Sequence, residues 1–210
     1  MISIIDYDAG NIKSVEKALH FLGENAVITN DKDVILSSDG VILPGVGSFG
    51  DAMERLKADC IDKIIYDYVD TGKPFLGICL GLQLLFKDSE ETPGVTGLGL
   101  LDGHIVKIPS TDSKGNFYKV PQIGWNDIEI NPKSRLLKDI GENPYVYFVH
   151  SYFLKADNDE EVAARTTYNV KIDVAVEKGN VMATQFHPEK SSETGLKILS
   201  NFISMTKEGK

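Results

Sequence analysis

The 210-residue sequence predicts an α/β fold: a mostly parallel central sheet with helices on both faces, and an antiparallel portion added in the second half. Three observations carry that expectation. In the first half, short apolar runs alternate with amphipathic stretches, the β-α-β rhythm of a parallel sheet. One junction, Gly77-Ile78-Cys79-Leu80-Gly81, sets a cysteine in a turn between a strand and a helix. In the second half, strand-like runs are separated by turn residues with little helix between them, which calls for antiparallel pairing.

Taken in order, Ile2 to Ile5 is a first strand, and Tyr7-Asp8-Ala9-Gly10-Asn11 a turn. Ile12, Val15, Ala18, Leu19 and Leu22 recur at helical spacing, with Asn11 as the expected cap and Gly23 as the stop. Ala26 to Thr29 and Val41 to Leu43 are the next strands, with a short helix or turn over Asp31 to Ser37 between them. Pro44-Gly45-Val46-Gly47-Ser48-Phe49-Gly50 follows directly, rich in glycines that let backbone N–H groups turn towards a ligand. Helical spacing returns from Asp51 to Asp70 with a break near Lys57 to Cys60, and the apolar run at Pro74 leads into the cysteine turn. Later strands are expected over 103–108, 123–130, 145–149, 162–168, 172–178 and 181–186, and a closing helix over 193–205. Ser110 to Asn116 is expected to be a mobile loop.

Composition narrows the functional classes. Hydrophobic residues at 42% and charged residues at 25% suit a globular protein with a full core, and one domain over 1–210 is expected. The 31 acidic against 22 basic residues give a formal charge of −9, which argues against nucleic acid or an anionic membrane as partner. Two cysteines make no disulfide framework or Cys-rich metal site; Cys60 falls in a helical pattern and is expected in the core. No signal segment or membrane-length apolar run is found, so a cytoplasmic location is expected, with neither cofactor nor metal.

The chemistry centres on Cys79. Gly77 and Gly81 are the small neighbours a sharp nucleophile-bearing turn requires, and a thiol at a helix N-terminus is favoured as a nucleophile. Such a thiol needs a base and later a proton donor, a role suited to histidine. Among four histidines, His20 lies within a helix, and His104 in a strand with no carboxylate in the two or three residues after it. His150 ends a strand and could face the site. His187 also ends a strand and has Glu189 two residues on, on the same side if the segment is extended. The triad expected is Cys79, His187, Glu189.

Gly77-Ile78-Cys79-Leu80-Gly81-Leu82-Gln83 together with His187-Pro188-Glu189 resembles the class I, triad-type glutamine amidotransferases, whose sheet is flavodoxin-like. That resemblance implies that Cys79 attacks the side-chain amide of glutamine, that His187 gives its proton to departing ammonia, and that Glu189 orients His187. It implies an oxyanion hole from the backbone N–H of Leu80 and one from the loop at Val46 and Gly47. It further implies a grip on the amino-acid end of glutamine by Gly47, Gln83, Glu91 and the Ser151-Tyr152 backbone. The motifs fill the chain, so the ammonia is expected to pass to a separate synthase polypeptide. The finer pattern, with Ile123-Gly124-Trp125-Asn126 and Phe148-Val149-His150-Ser151-Tyr152, resembles glutaminases that dock on a (β/α)8-barrel cyclase as a heterodimer. Asn11, Trp125, Tyr147 and Lys190 are the candidate docking residues. Alternatives are a glutaminase feeding another synthase, a stand-alone hydrolase of γ-glutamyl compounds, and a catalytically silent regulatory subunit.

Overall fold

The computed structural model describes residues 1–8 and 10–208; Ala9 of the first turn lies outside the described residues. In chain order, β1 (Ile2–Ile5), α1 (Ile12–Phe21), β2 (Ala26–Thr29), α2 (Lys32–Ser37) and β3 (Gly40–Gly45) complete the first β-α-β units. Asp31 caps α2 by accepting from the N–H groups of Asp33 and Val34. α3 (Phe49–Ala58) and α4 (Ile61–Val69) replace one long helix, with the break where the spacing falters. β4 (Phe75–Cys79) then runs without a gap into α5 (Leu80–Leu84).

The second half supplies β5 (Asp88–Ser89), β6 (Gly103–Lys107), β7 (Gln122–Asp127), β8 (Glu129–Ile130), β9 (Tyr145–His150), β10 (Tyr152–Ala156), β11 (Val162–Thr167), β12 (Lys171–Lys178) and β13 (Val181–Thr184), closed by α6 (Ser192–Met205). The main sheet runs β2-β1-β3-β4-β13-β12-β10-β6-β5, with β11 and β8 branching from β12; β7 and β9 form a separate ribbon. β2, β1, β3, β4 and β13 are mutually parallel. β12 is antiparallel to β13, and β10 to both β12 and β6.

Strand alternation divides the core into two layers. Ile42, Leu76 and Ile78 pack with Val15 and Leu19 of α1 and Phe202 of α6 on one face. Val41, Leu43 and Phe75 pack with Leu56 of α3 and Ile65 of α4 on the other, where Leu80, Leu82 and Leu84 of α5 also lie. Each such side chain, fully buried, stabilises the fold by about 1.5–3 kcal/mol.

Four readings of the sequence need correction. Cys60 is exposed, not core: it occupies the left-handed corner between α3 and α4 (φ 56°). Asn11, also left-handed (φ 70°), precedes α1 without capping it by its side chain. The strand ending at His150 is followed by a second strand, β10, that the sequence reading missed. Phe153 and Leu154 are adjacent and both buried, so no period-two alternation marks it. His104 does have a carboxylate partner: Asp88, its register neighbour across the parallel β5–β6 pair, lies 2.8 Å from Nδ1. The Ser110–Asn116 segment contains a Thr111–Phe117 bridge and an Asp112 side chain accepting from the N–H of Lys114 and of Asn116.

Candidate active site

The end of β4 forms a sharp elbow. Cys79 carries φ 57° and ψ −110°, a conformation that costs a non-glycine residue roughly 1–3 kcal/mol. The surrounding packing enforces it. A Cβ on Gly81 would sit 1.9 Å from the Leu43 carbonyl oxygen, and one on Gly77 2.8 Å from the Gly81 carbonyl oxygen. Cys79 is the register neighbour of Gly45, so the glycine loop leaves β3 beside the sulfur. Tyr7 braces that junction by donating to the Pro44 carbonyl at 2.8 Å. Burial raises the pKa of its hydroxyl, and Cys79 nearby raises it further.

β13 lies directly against β4, pairing Thr184 with Ile78, and so delivers His187 to the same rim. The contact between His187 and Glu189 forms differently from the extended i, i+2 geometry read from sequence. His187 leads into a 3-10 turn, Pro188–Lys190, that curls the carboxylate back. Nδ1 of His187 lies 2.8 Å from Oε1 of Glu189, and the two side chains are 1% and 0% exposed. Ser191 Oγ donates to the His187 carbonyl at 2.7 Å and ties the turn down. Burial pulls the imidazolium pKa down, but the Cys79 sulfur and the Glu189 carboxylate outweigh it and push it up to about 9. Nε2, though within the sulfur's field, makes no hydrogen bond of normal geometry. Loose contacts of this kind are common in catalytic pairs before substrate tightens them.

Cys79 and His187 open into a cavity of about 280 Å³. Every residue expected at the oxyanion hole or the substrate lines it: Val46, Gly47, Leu80, Gln83, Glu91, Ser151 and Tyr152. Their contacts refine the expected grips. Glu91 accepts from the Phe49 N–H at the start of α3 (2.7 Å). The Gln83 amide donates to Tyr152 O (3.1 Å) and to Gln185 Oε1 (3.0 Å), which leaves only its oxygen for a ligand. Ser151 stands where the chain leaves the β7–β9 ribbon for the main sheet, and its carbonyl is taken by the Ile108 N–H.

His150 also lines the cavity but is committed to structure. Its Nδ1 lies 2.8 Å from Tyr152 O and its Nε2 3.1 Å from Gln122. Burial, with His187 adding to it, holds the ring neutral and its pKa down to about 4. Because that lies below the unfolded value of 6.5, the unfolded chain binds more protons between pH 6.5 and 4, and stability falls as pH drops through this window. The expected loss is about 3 kcal/mol. Urea unfolding of wild type and His150→Asn at pH 7 and pH 4.5 checks this; an equal acid loss in both would contradict it.

Sequence reasoning missed Gln185, whose Nε2 lies 3.8 Å from Cys79 Sγ, and Tyr7; Gln185 is two residues before His187, the available signal. Pro121 and Val149 also line the cavity and were not anticipated. The expected docking residues divide. Trp125 is half exposed and meets Tyr147 edge-on at 6.1 Å, and Lys190 is exposed. Asn11 is half-buried and donates from its amide to Glu189. A larger hollow, about 890 Å³, lies between residues 130–142 and α6 and contains none of these groups.

Comparison with known proteins agrees with the geometry. The family described as "Glutamine amidotransferase class-I" matches residues 3–205. Imidazole glycerol phosphate synthase subunit HisH of Geobacillus sp. is 50% identical over 100% of this chain and 99% of its own. The protein of the same name from Methanothermobacter thermautotrophicus is 46% identical over 98% of each. A crystal structure of a glutamine amidotransferase superposes with a TM-score of 0.76 over 98% of both chains at 20% identity, a likeness of fold. The chain belongs to the class-I glutamine amidotransferase family and, within it, to the HisH subunits of imidazole glycerol phosphate synthase.

Proposed function

We propose that the chain, as one unit over 1–210, hydrolyses glutamine on the Cys79, His187, Glu189 triad and supplies the ammonia to a cyclase subunit. The observation that carries this is a cysteine on a strained elbow sharing one cavity with a buried, carboxylate-bonded imidazole. Cys79 Sγ adds to the γ-carboxamide carbon, and the oxyanion is held by the N–H of Leu80 and one from Val46 or Gly47. One such donor contributes about 10²–10³ in rate. The His187 imidazolium gives its proton to the nitrogen, the C–N bond breaks, and ammonia leaves a γ-glutamyl thioester. Water, deprotonated by the now neutral His187, cleaves the thioester to glutamate and the free sulfur. Glu189 holds the ring through Nδ1. Gly47, Gln83, Glu91 and the Ser151–Tyr152 segment surround the amino-acid end of the substrate.

The partner is HisF, the (β/α)8-barrel cyclase, in a heterodimer in the cytoplasm. It uses the ammonia to convert the phosphoribulosyl intermediate PRFAR to imidazole glycerol phosphate and AICAR in histidine biosynthesis. Ammonia released into water would be protonated and lose its lone pair, so it travels inside the interface. Support for a docking face comes from the exposed outer side of the β7–β9 ribbon, where Ile123, Trp125 and Tyr145 present apolar surface beside Tyr147. Asn11 and Lys190 flank it in this reading. The glycine loop completes its oxyanion geometry only when the cyclase and its ligand are bound, since Gly47 at φ 99° can reorient at little cost. Glutamate release is expected to rise roughly 5–150-fold when cyclase and PRFAR are added. Equal turnover by the isolated chain and the complex would contradict the coupling.

A further inference from the structure

The Asn11 side chain donates from Nδ2 to Glu189 Oε1 at 2.6 Å, across 178 residues of sequence. The same oxygen lies 2.8 Å from His187 Nδ1. The other oxygen, Oε2, is buried with no partner among the described residues, so Oε1 carries both side-chain hydrogen bonds to the carboxylate. Removing Asn11 leaves His187 as the one side chain among the described residues that bonds it. The backbone at Asn11 strengthens the point. Its left-handed conformation (φ 70°, ψ 2°) is met by glycine without strain, and its side chain makes no capping bond to α1. What asparagine adds here over glycine is the amide placed on Glu189.

We propose that Asn11 is a positioning residue of the active site: it fixes Glu189 Oε1 so that the carboxylate holds His187 with Nε2 turned towards the sulfur. This inference rests on the triad reading above. It differs from a docking role, which would act only when a partner is present, and from a capping role, which would act on stability alone. An amide suits the task because it gives a hydrogen-bond donor to a buried anion without adding a second charge beside His187.

The experiment compares wild type with Asn11→Gly and Asn11→Asp, in the isolated chain and in the complex with the cyclase. Asn11→Gly keeps the left-handed corner and removes the amide. It is expected to lower kcat for glutamine roughly 10–100-fold, the scale of a small misplacement of a catalytic group, with KM changed less than about two-fold. The rate at which iodoacetamide inactivates the isolated chain is expected to fall as well, with its pH dependence altered. Asn11→Asp sets a carboxylate against Glu189; as pH falls, a proton held between the two restores the lost donor. Its activity relative to wild type is therefore expected to recover towards acid pH. An unchanged kcat for Asn11→Gly overturns the proposal. So does an unaltered alkylation profile accompanied only by weaker cyclase affinity. If Asn11→Gly does not fold, the acid recovery of Asn11→Asp decides the matter. His187→Ala, assayed alongside, separates failure of this inference from failure of the triad: retained activity there would sink both.

Discussion

Replacing Cys79 with alanine is expected to lower glutamine hydrolysis by at least about 10⁴-fold, to background, because it removes the sulfur that sits on the elbow beside His187 and forms the bond to the γ-carbon. The fold is expected to survive. Alanine and cysteine carry the same Cβ, so the φ of 57° is no worse for one than for the other, and a thiol that is 7% exposed leaves a small void. The complex should still make its product when ammonium salt is added at high pH, since only the glutamine-dependent supply is cut. Measuring both reactions in the same preparation separates chemistry from assembly. Residual glutamine-dependent turnover near wild type would remove the elbow from the mechanism and favour a regulatory subunit.

The second large effect concerns the fold that holds the elbow. Gly81→Ala places a methyl group 1.9 Å from the Leu43 carbonyl oxygen, backbone against backbone in the interior of the molecule. No flexible side chain can yield there. β3 and α5 must separate, so a loss of about 4 kcal/mol or more is expected. For a chain of this size that corresponds to a fall in Tm of about 8–16 °C, read by calorimetry or by loss of soluble protein. Gly179→Ala is the matched control: its φ is 61° with open space around it, so only conformational strain is added. If the two variants melted within a degree or two of each other, the close approach would not be what secures the elbow.

How much of this could be read from the residues depends on the distance over which each signal acts. The elbow was legible because its requirements are local: a strand, two small residues and a helix start within ten positions. The parallel first half was legible for the same reason, each strand being marked off by a helix of clear spacing. The Asp88–His104 pair was not, because the carboxylate comes from the neighbouring strand, 16 residues away. Asn11 looked like a cap since that is the commonest use of asparagine before a helix, and its true contact is 178 residues distant. β10 was hidden because the chain changes sheets at Ser151 without a glycine or proline to mark the exchange. At the site, His187 and Glu189 were paired from their spacing, but the curl that joins them is a 3-10 turn, which two-residue periodicity does not describe.

The position of β13, between β4 and β12, has one more consequence. The sulfur-bearing strand is synthesised more than a hundred residues before the strand that delivers the imidazole beside it, and the antiparallel half intervenes. A ribosome-bound chain that has not yet reached β13 thus carries the cysteine without the imidazole. If the triad acts as proposed, the amide nitrogen of glutamine is safe from such unfinished molecules, because the cysteine gains its imidazole only as the final strand closes the sheet.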